Sequence, residues 1–395
     1  MQDSIANVQA WTNPDPARVA EMYRHRQAGE RAPSHRILQA PIAPVDLYAY
    51  LKWRFGSPNG FAMALRAPSV DNLIHWNYTV QVSDFVLDIL GLTSRTELVT
   101  SATVVPDSVW NELESRLVEE VSTHRREIGE TKRDFEHWNL FVNPYQRLAR
   151  IVSRYESRLG EIVLPSVEPL SIPSTAKRVE RFQEELQSAL DLYEEAAGLC
   201  VSLQMIAPVM GEAAINFILM LMAKPDIKAD QRLKDDFARR AIDVRIKTLH
   251  LSCDGFAKPV DANDEIVKDF LRLMNRRNDS LHGNVNPARS SGGEIMFDYR
   301  TIPLPSEHLD IAQAAISSAF ADLSIDDSLA DTATARHFVE FMLSCIDSTH
   351  QPAVREAIGT LQLGYRPEED RIGVILPHVV ADMIPGLDEP RGVSE

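Results

Sequence analysis

Apolar residues recur every three or four positions through most of the second half of this chain, which is the spacing of amphipathic helices. One such stretch runs from about 174 to 198, with Ser174 placed as an N-cap. Residues 201–223 are apolar nearly all round and predict a buried helix. Residues 228–255 put Leu233, Phe237, Val244 and Leu251 near one face. Residues 264–282 carry Ile266, Phe270, Leu273, Arg277 and Leu281 at spacings of 4, 3, 4 and 4, a single helical stripe ended by Gly283. Ile295, Phe297 and Tyr299 alternate and predict a short strand or hairpin, and helices resume over 309–323 and 332–347. A last strand is expected over 371–376.

The first part of the chain has a different pattern. Helices are expected over 17–27 and 46–55, the latter ended by the turn Gly56-Ser57-Pro58-Asn59-Gly60. Residues 73–80 and 97–105 are rich in β-branched and aromatic residues and predict strands, with a helix between them over 84–90. Residues 107–159 read as long, charged and helical, interrupted at Asn143-Pro144. Pro165, Pro169 and Pro173 then mark a boundary. The expected fold class is mainly α: an α+β module over 1–165, a helical bundle over 174–350, and an acidic C-terminal extension over 351–395.

A length of 395 residues fits two or three domains. The net charge of −16 rules out a polycation, but the charge is uneven. Residues 228–283 hold 12 Lys/Arg against 10 Asp/Glu, whereas 301–395 hold 5 Arg against 16 Asp/Glu. A local basic face is therefore compatible with an acidic whole. Cys200, Cys253 and Cys345 are odd in number and far apart, so neither a disulfide framework nor a zinc site is expected. The N-terminus lacks a signal-like apolar core, and the run 213–223 is too short and too polar to cross a bilayer. A cytoplasmic location and no membrane partner follow as expectations. No phosphate-binding glycine motif and no H-E-x-x-H is present, so neither a cofactor nor a metal is expected. Ser174-Thr175-Ala176-Lys177 matches S-x-x-K, but its partner motifs are missing.

The candidate chemistry lies at the end of the 264–282 helix. An arginine in an apolar seam is costly unless it is paired, at an interface or in use. Asn278 and His282 are four apart and share the neighbouring face. Arg277 can hold a phosphate, and His282, at a helix C-terminus, can move a proton near neutral pH. The structural alternative pairs Arg277 with a carboxylate such as Asp243 and leaves His282 as a cap. Glu212 and Asn216, four apart on the apolar helix, are candidates to support the pair or to be satisfied core polar groups. Arg276 is a candidate surface or substrate-backbone contact. Arg239, Arg240, Arg245 and Lys247 can line an RNA path or form a solvated face. A run around His75, Trp76 and Tyr78 reads as core, with an enzyme site there as the alternative.

Arg277-Asn278-x-x-x-His282, late in a helical bundle, resembles the signature of HEPN domains (higher eukaryotes and prokaryotes nucleotide-binding). The resemblance covers roughly residues 174–350. It implies that Arg277 and His282 are the catalytic pair, with Asn278 at the polar position beside the arginine and Glu212 or Asn216 supporting from an earlier helix. It further implies a metal-independent endoribonuclease that works as a homodimer with its cleft at the interface, often as a toxin or an antiviral defence effector. A non-catalytic HEPN-like module for dimerisation or for nucleotide or RNA binding is the competing expectation. The N-terminal module would then meet a trigger or an antitoxin.

Overall fold

The computed structural model describes residues 5–15, 34–83, 85–100, 105–166, 175–281, 295–305 and 324–375. The chain is mainly helical, with a small sheet region near the N-terminus. It divides into two compact units, and the divisions fall between Asn139 and Leu140 and between Gly373 and Val374. The proline cluster expected to mark the boundary at 165–173 therefore lies inside the second unit.

The first unit is built on an antiparallel sheet of order β1-β4-β3-β2, with β1 at Ser34–Ile37, β2 at Trp76–Val82, β3 at Phe85–Gly91 and β4 at Thr96–Thr100. The helix expected over 84–90 is strand β3. Its run of apolar residues is buried on both faces, so it shows no alternation, and periodicity alone cannot tell it from a buried helix. Helices α1 (Pro44–Phe55), α2 (Phe61–Leu65), α3 (Asp107–Thr123) and α4 (Arg125–Lys132) complete the unit. Leu47, Tyr50 and Leu51 of α1 share one core with Trp110, Leu113 and Leu117 of α3 and with Tyr78, Val80, Leu87, Ile89 and Leu98 of the sheet. The Tyr50 hydroxyl donates to Glu120 at 3.0 Å and accepts from Arg54 at 2.8 Å. Burial pushes the Tyr50 phenol up to about 12. Arg54 also donates to the carbonyls of Val8 and Gln9, which fastens the N-terminal segment to α1. The helix expected over 17–27 lies outside the described residues.

The second unit is organised by α6, a single helix over Ala176–Met222. The two helices expected over 174–198 and 201–223 are one element, and Pro208 lies within it. Pro208 removes one backbone hydrogen bond, but tertiary packing supplies most helical stability and holds the element together across the gap. By length and composition α6 would qualify as a membrane span; 61% of its apolar window is buried inside the protein, as in a core helix. Packed on α6 are α5 (Pro144–Glu161), α9 (Ile242–Ser252), α10 (Glu265–Leu281), α11 (Ile325–Ser344) and α12 (Gln351–Gly359). The stretch 228–255, expected as one helix, is three: α7 (Pro225–Ala229), α8 (Gln231–Arg239) and α9, with Asp230 capping α8 through the N–H groups of Arg232 and Leu233. Strands β5 (Asn139–Val142), β8 (Gln362–Arg366) and β9 (Arg371–Gly373) form a second sheet in the order β5-β8-β9. Residues 351–373 are thus integrated into this unit rather than forming an acidic extension. Residues 376–395 and the helix expected over 309–323 lie outside the described residues.

Three contacts fix the bundle. Asn143 is fully buried; its amide donates to the carbonyls of Ala357, Ile358 and Thr360 at 3.1–3.2 Å, while its oxygen accepts from Gln146 N–H. One side chain thereby caps the start of α5 and the end of α12. Gly211 admits the Phe270 ring, since a Cβ there would sit 2.4 Å from Phe270 Cε2. Phe270 in turn stacks on Phe338 of α11, with centroids 3.9 Å apart and planes 3° from parallel. Arg336 of α11 grips Glu156 of α5 bidentately at 2.6 Å, and the Thr332 hydroxyl joins the same carboxylate. Burial raises the Glu156 carboxyl, but the hydrogen bonds from Arg336 and Thr332 outweigh this and hold it below its ordinary value.

Two outcomes follow. The ring facing Gly211 is pinned by its stack, so Gly211→Val should destabilise the unit by about 2 kcal/mol in urea melts, as overpacking does. The lowered Glu156 carboxyl contributes stability that is present above its unfolded value of 4.5 and is lost as the pH falls through the lower native value. Glu156→Gln should cost about 2 kcal/mol at pH 7 and flatten that acid limb. Urea melts of both proteins between pH 7 and pH 3 would read the difference.

Candidate functional site

Helix α10 begins where the Asp264 carboxylate accepts the N–H of Ile266, with Glu265 in its first turn, as the helix dipole favours. Its buried face is Val267, Phe270, Leu273 and Met274. Arg277 continues that face by one further step and is half-buried. Leu281, the next step, is 59% exposed. The seam that packs into the bundle therefore emerges at the surface between Met274 and Leu281, and Arg277 stands at the point of emergence. Arg277 Nη1 donates to Asn278 Oδ1 at 2.9 Å. His282 and Gly283 lie outside the described residues.

Arg276, Arg240 and Lys247 have acidic partners, as does the neighbouring Arg272. Arg276 pairs with Asp331 of α11, whose carboxyl is pushed up by burial against the pull of Arg276. Arg272 pairs with Asp269 and Glu265 on its own helix. Arg240 grips Asp236 at 2.6 and 3.0 Å and lies over the Phe237 ring. Lys247 sits 3.5 Å from Asp243. Asp243, the carboxylate considered for Arg277, is thus engaged by Lys247. Among the described residues Arg277 is the arginine of α10 with no carboxylate partner.

Arg245 is not on a solvated face, nor could it line an RNA path. It is 5% exposed, on the buried side of α9 with Ile246 and Leu249. Its guanidinium binds Glu212, and Nη1 donates to Asn216 at 2.8 Å. The helical register turns Arg245 inward, and a buried guanidinium requires a counter-charge. Glu212 therefore supplies that counter-charge across the α6–α9 interface and Asn216 an added hydrogen bond; neither is paired with Arg277. Arg245 Nε remains without a hydrogen-bond partner among the described residues.

A cleft of about 580 Å³ lies along α10 and α11, lined by Asp269, Arg272, Asn275, Arg276, Asp279 and Thr334. Arg276 lines it, and Arg277 is not among its lining residues. Asp331, the partner that anchors Arg276, left no trace in the sequence reading, since it lies 55 positions away on another helix. Among the described residues no three His, Cys, Asp or Glu side chains gather as a metal-binding set. In the first unit Tyr78 is fully buried, with its hydroxyl on the Gly56 carbonyl, and Trp76 packs edge-on against Tyr48. His75 Nε2 lies 2.9 Å from the Thr93 hydroxyl. This run serves the core.

No family model matches the chain, and no curated protein and no solved structure matches it.

The two kinds of arginine should separate in stability measurements. Glu212→Leu leaves the buried Arg245 charge uncompensated and should cost about 3 kcal/mol. Arg277→Ala removes a side chain held only by its neighbour and should change stability by less than about 0.5 kcal/mol. Equal losses in urea melts of the two variants would contradict this assignment.

Proposed function

We propose that this chain is a metal-independent endoribonuclease of the HEPN type. The observation that carries the reading is the state of Arg277. Every other arginine of α10 is neutralised by a carboxylate, whereas Arg277 stands half-buried at the open end of the seam with only Asn278 on it. A guanidinium so placed is a receptor for an anion, and phosphate suits its bidentate geometry. The resemblance of Arg277-Asn278-x-x-x-His282 to the HEPN signature supplies the chemistry.

In this mechanism the 2′-OH of an RNA nucleotide attacks the adjacent phosphorus. His282 takes the hydroxyl proton and returns one to the departing 5′ oxygen, and Arg277 offsets the charge that builds on the phosphoryl oxygens. Asn278 orients Arg277 through Nη1. The products carry 2′,3′-cyclic phosphate and 5′-OH ends, and no cofactor takes part. A homodimer brings two such pairs to one cleft. A cytoplasmic toxin or phage-defence effector is the role this activity suits, with the first unit as the receiver of a trigger or antitoxin.

The exposed Leu281 at the end of the seam favours a second reading, in which the bundle is a non-catalytic dimerisation or RNA-binding module. Purified protein incubated with mixed RNA in EDTA separates the two. Cleavage should persist in EDTA, leave cyclic phosphate ends, and fall at least about a hundredfold in Arg277→Ala and in His282→Ala. Wild type and both variants cleaving alike, or none cleaving, would refute the nuclease reading.

A further inference from the structure

The hairpin β6 (Ile295–Asp298) and β7 (Ile302–Pro305) forms a sheet of its own, and among the described residues neither strand has a second neighbour. Its side chains are apolar and open on both faces: Met296, Phe297, Tyr299, Ile302 and Leu304 are each about half exposed or more, and Tyr299 is 84% exposed. Its turn holds Tyr299 and Arg300 at φ of 49° and 60°, a left-handed backbone that favours glycine or asparagine. A lone two-stranded hairpin with an unfavourable turn is at best marginally stable in water.

The register shows which edge is open. Met296 faces Leu304, Phe297 faces Pro303, and Asp298 faces Ile302. In an antiparallel pair, hydrogen-bonded and non-hydrogen-bonded pairs alternate. Pro303 and Pro305 have no N–H, so the ladder bonds belong to the even pairs, Met296 with Leu304 and Asp298 with Ile302. Pro303 and Pro305 therefore face away from β6, and the outer edge of β7 offers no N–H at either position. That edge is closed to further pairing. On β6 the outward residues are Ile295 and Phe297, and both present N–H and C=O. Among the described residues the hairpin therefore has one blocked edge and one open edge.

We propose that the open edge of β6 pairs antiparallel with β6 of a second copy of this chain, about a two-fold axis at Met296. Phe297 of one copy then exchanges both backbone hydrogen bonds with Ile295 of the other, and the reverse, so the edge is its own complement. The sheet so formed runs β7-β6-β6-β7 and ends on a proline-blocked strand at both sides. The pairing therefore closes at a dimer instead of growing into a fibre. Charge supports a second copy as the occupant: the hairpin carries Asp298 and Arg300, net zero, in a chain of net −16, so two copies meet there with little repulsion.

The pairing deepens the homodimer of the proposed function, yet it can be tested without RNA. Sedimentation equilibrium of the full chain should show a dimer. Phe297→Pro removes an outward N–H while sparing the ladder to β7, and should weaken self-association at least tenfold with an unchanged helical circular dichroism spectrum. Met296→Cys should form an intermolecular disulfide under mild oxidation, because non-hydrogen-bonded antiparallel partners bring their Cα atoms to about 4.5 Å. Leu304→Cys, one strand further out, should not. The native thiols of Cys200, Cys253 and Cys345 are buried and give a low background. A wild type that stays monomeric overturns the proposal. So does a dimer that survives Phe297→Pro and leaves Met296→Cys uncrosslinked, or a monomer whose β6 pairs with a different protein. A dimer that fails to cleave RNA would count against the nuclease and leave the pairing standing.

Discussion

The second unit depends on one constraint: the C-terminal half of α6 is apolar nearly all round, so most of its circumference must be covered. From Leu203 to Met222 only Asn216 and Met220 are exposed, and α5, α9, α10, α11 and α12 pack against the rest. That enclosure keeps the helix continuous across Pro208. It also positions the candidate site. Gly211 lets Phe270 approach the α6 backbone, Phe338 clamps the ring from the far side, and the roll of α10 is thereby set. With the roll set, the helix turns Arg277 to the edge of the buried face, where the jacket ends.

A second layer of organisation is electrostatic. At three helix interfaces among the described residues a cation meets a carboxylate on a neighbouring helix: buried Arg245 with Glu212, exposed Arg276 with the buried Asp331, and half-buried Arg336 with Glu156. Such pairs add little net stability over apolar packing, but breaking one leaves a charge stranded in a poor dielectric. They act as registration pins between helices. Against this pattern an arginine with an amide for its partner stands out, and the proposed chemistry rests on that contrast.

Much of this was legible in the sequence, and the losses have identifiable causes. The α10 stripe, its arginine and the hairpin after it could be read because period and burial agree there. β3 could not, because a strand buried on both faces loses the alternation that identifies it. The break expected between 198 and 201 is absent, because the bundle packing that holds α6 together there is not encoded in the helix's own residues. The burial of Arg245 is not legible in the sequence because its helix has a weak apolar stripe, and only the docking of α9 on α6 decides which way it turns. Its acid, Glu212, stands out in the sequence as a polar residue on an apolar helix, but which arginine it meets depends on helix docking. A single sequence gives the faces of helices well and their partners poorly.

Asn143 has one further consequence. It joins the first turn of α5 to the last turn of α12, and the strands flanking these helices, β5 and β8, lie side by side. The chain therefore enters the second unit on β5 and leaves it on β9, in the same three-stranded sheet with β8 between them. A unit whose entry and exit share one small sheet is topologically self-contained. It can sit as an insert within another chain, or be reopened at a different surface loop and rejoined at its old ends, with its helices left where they are.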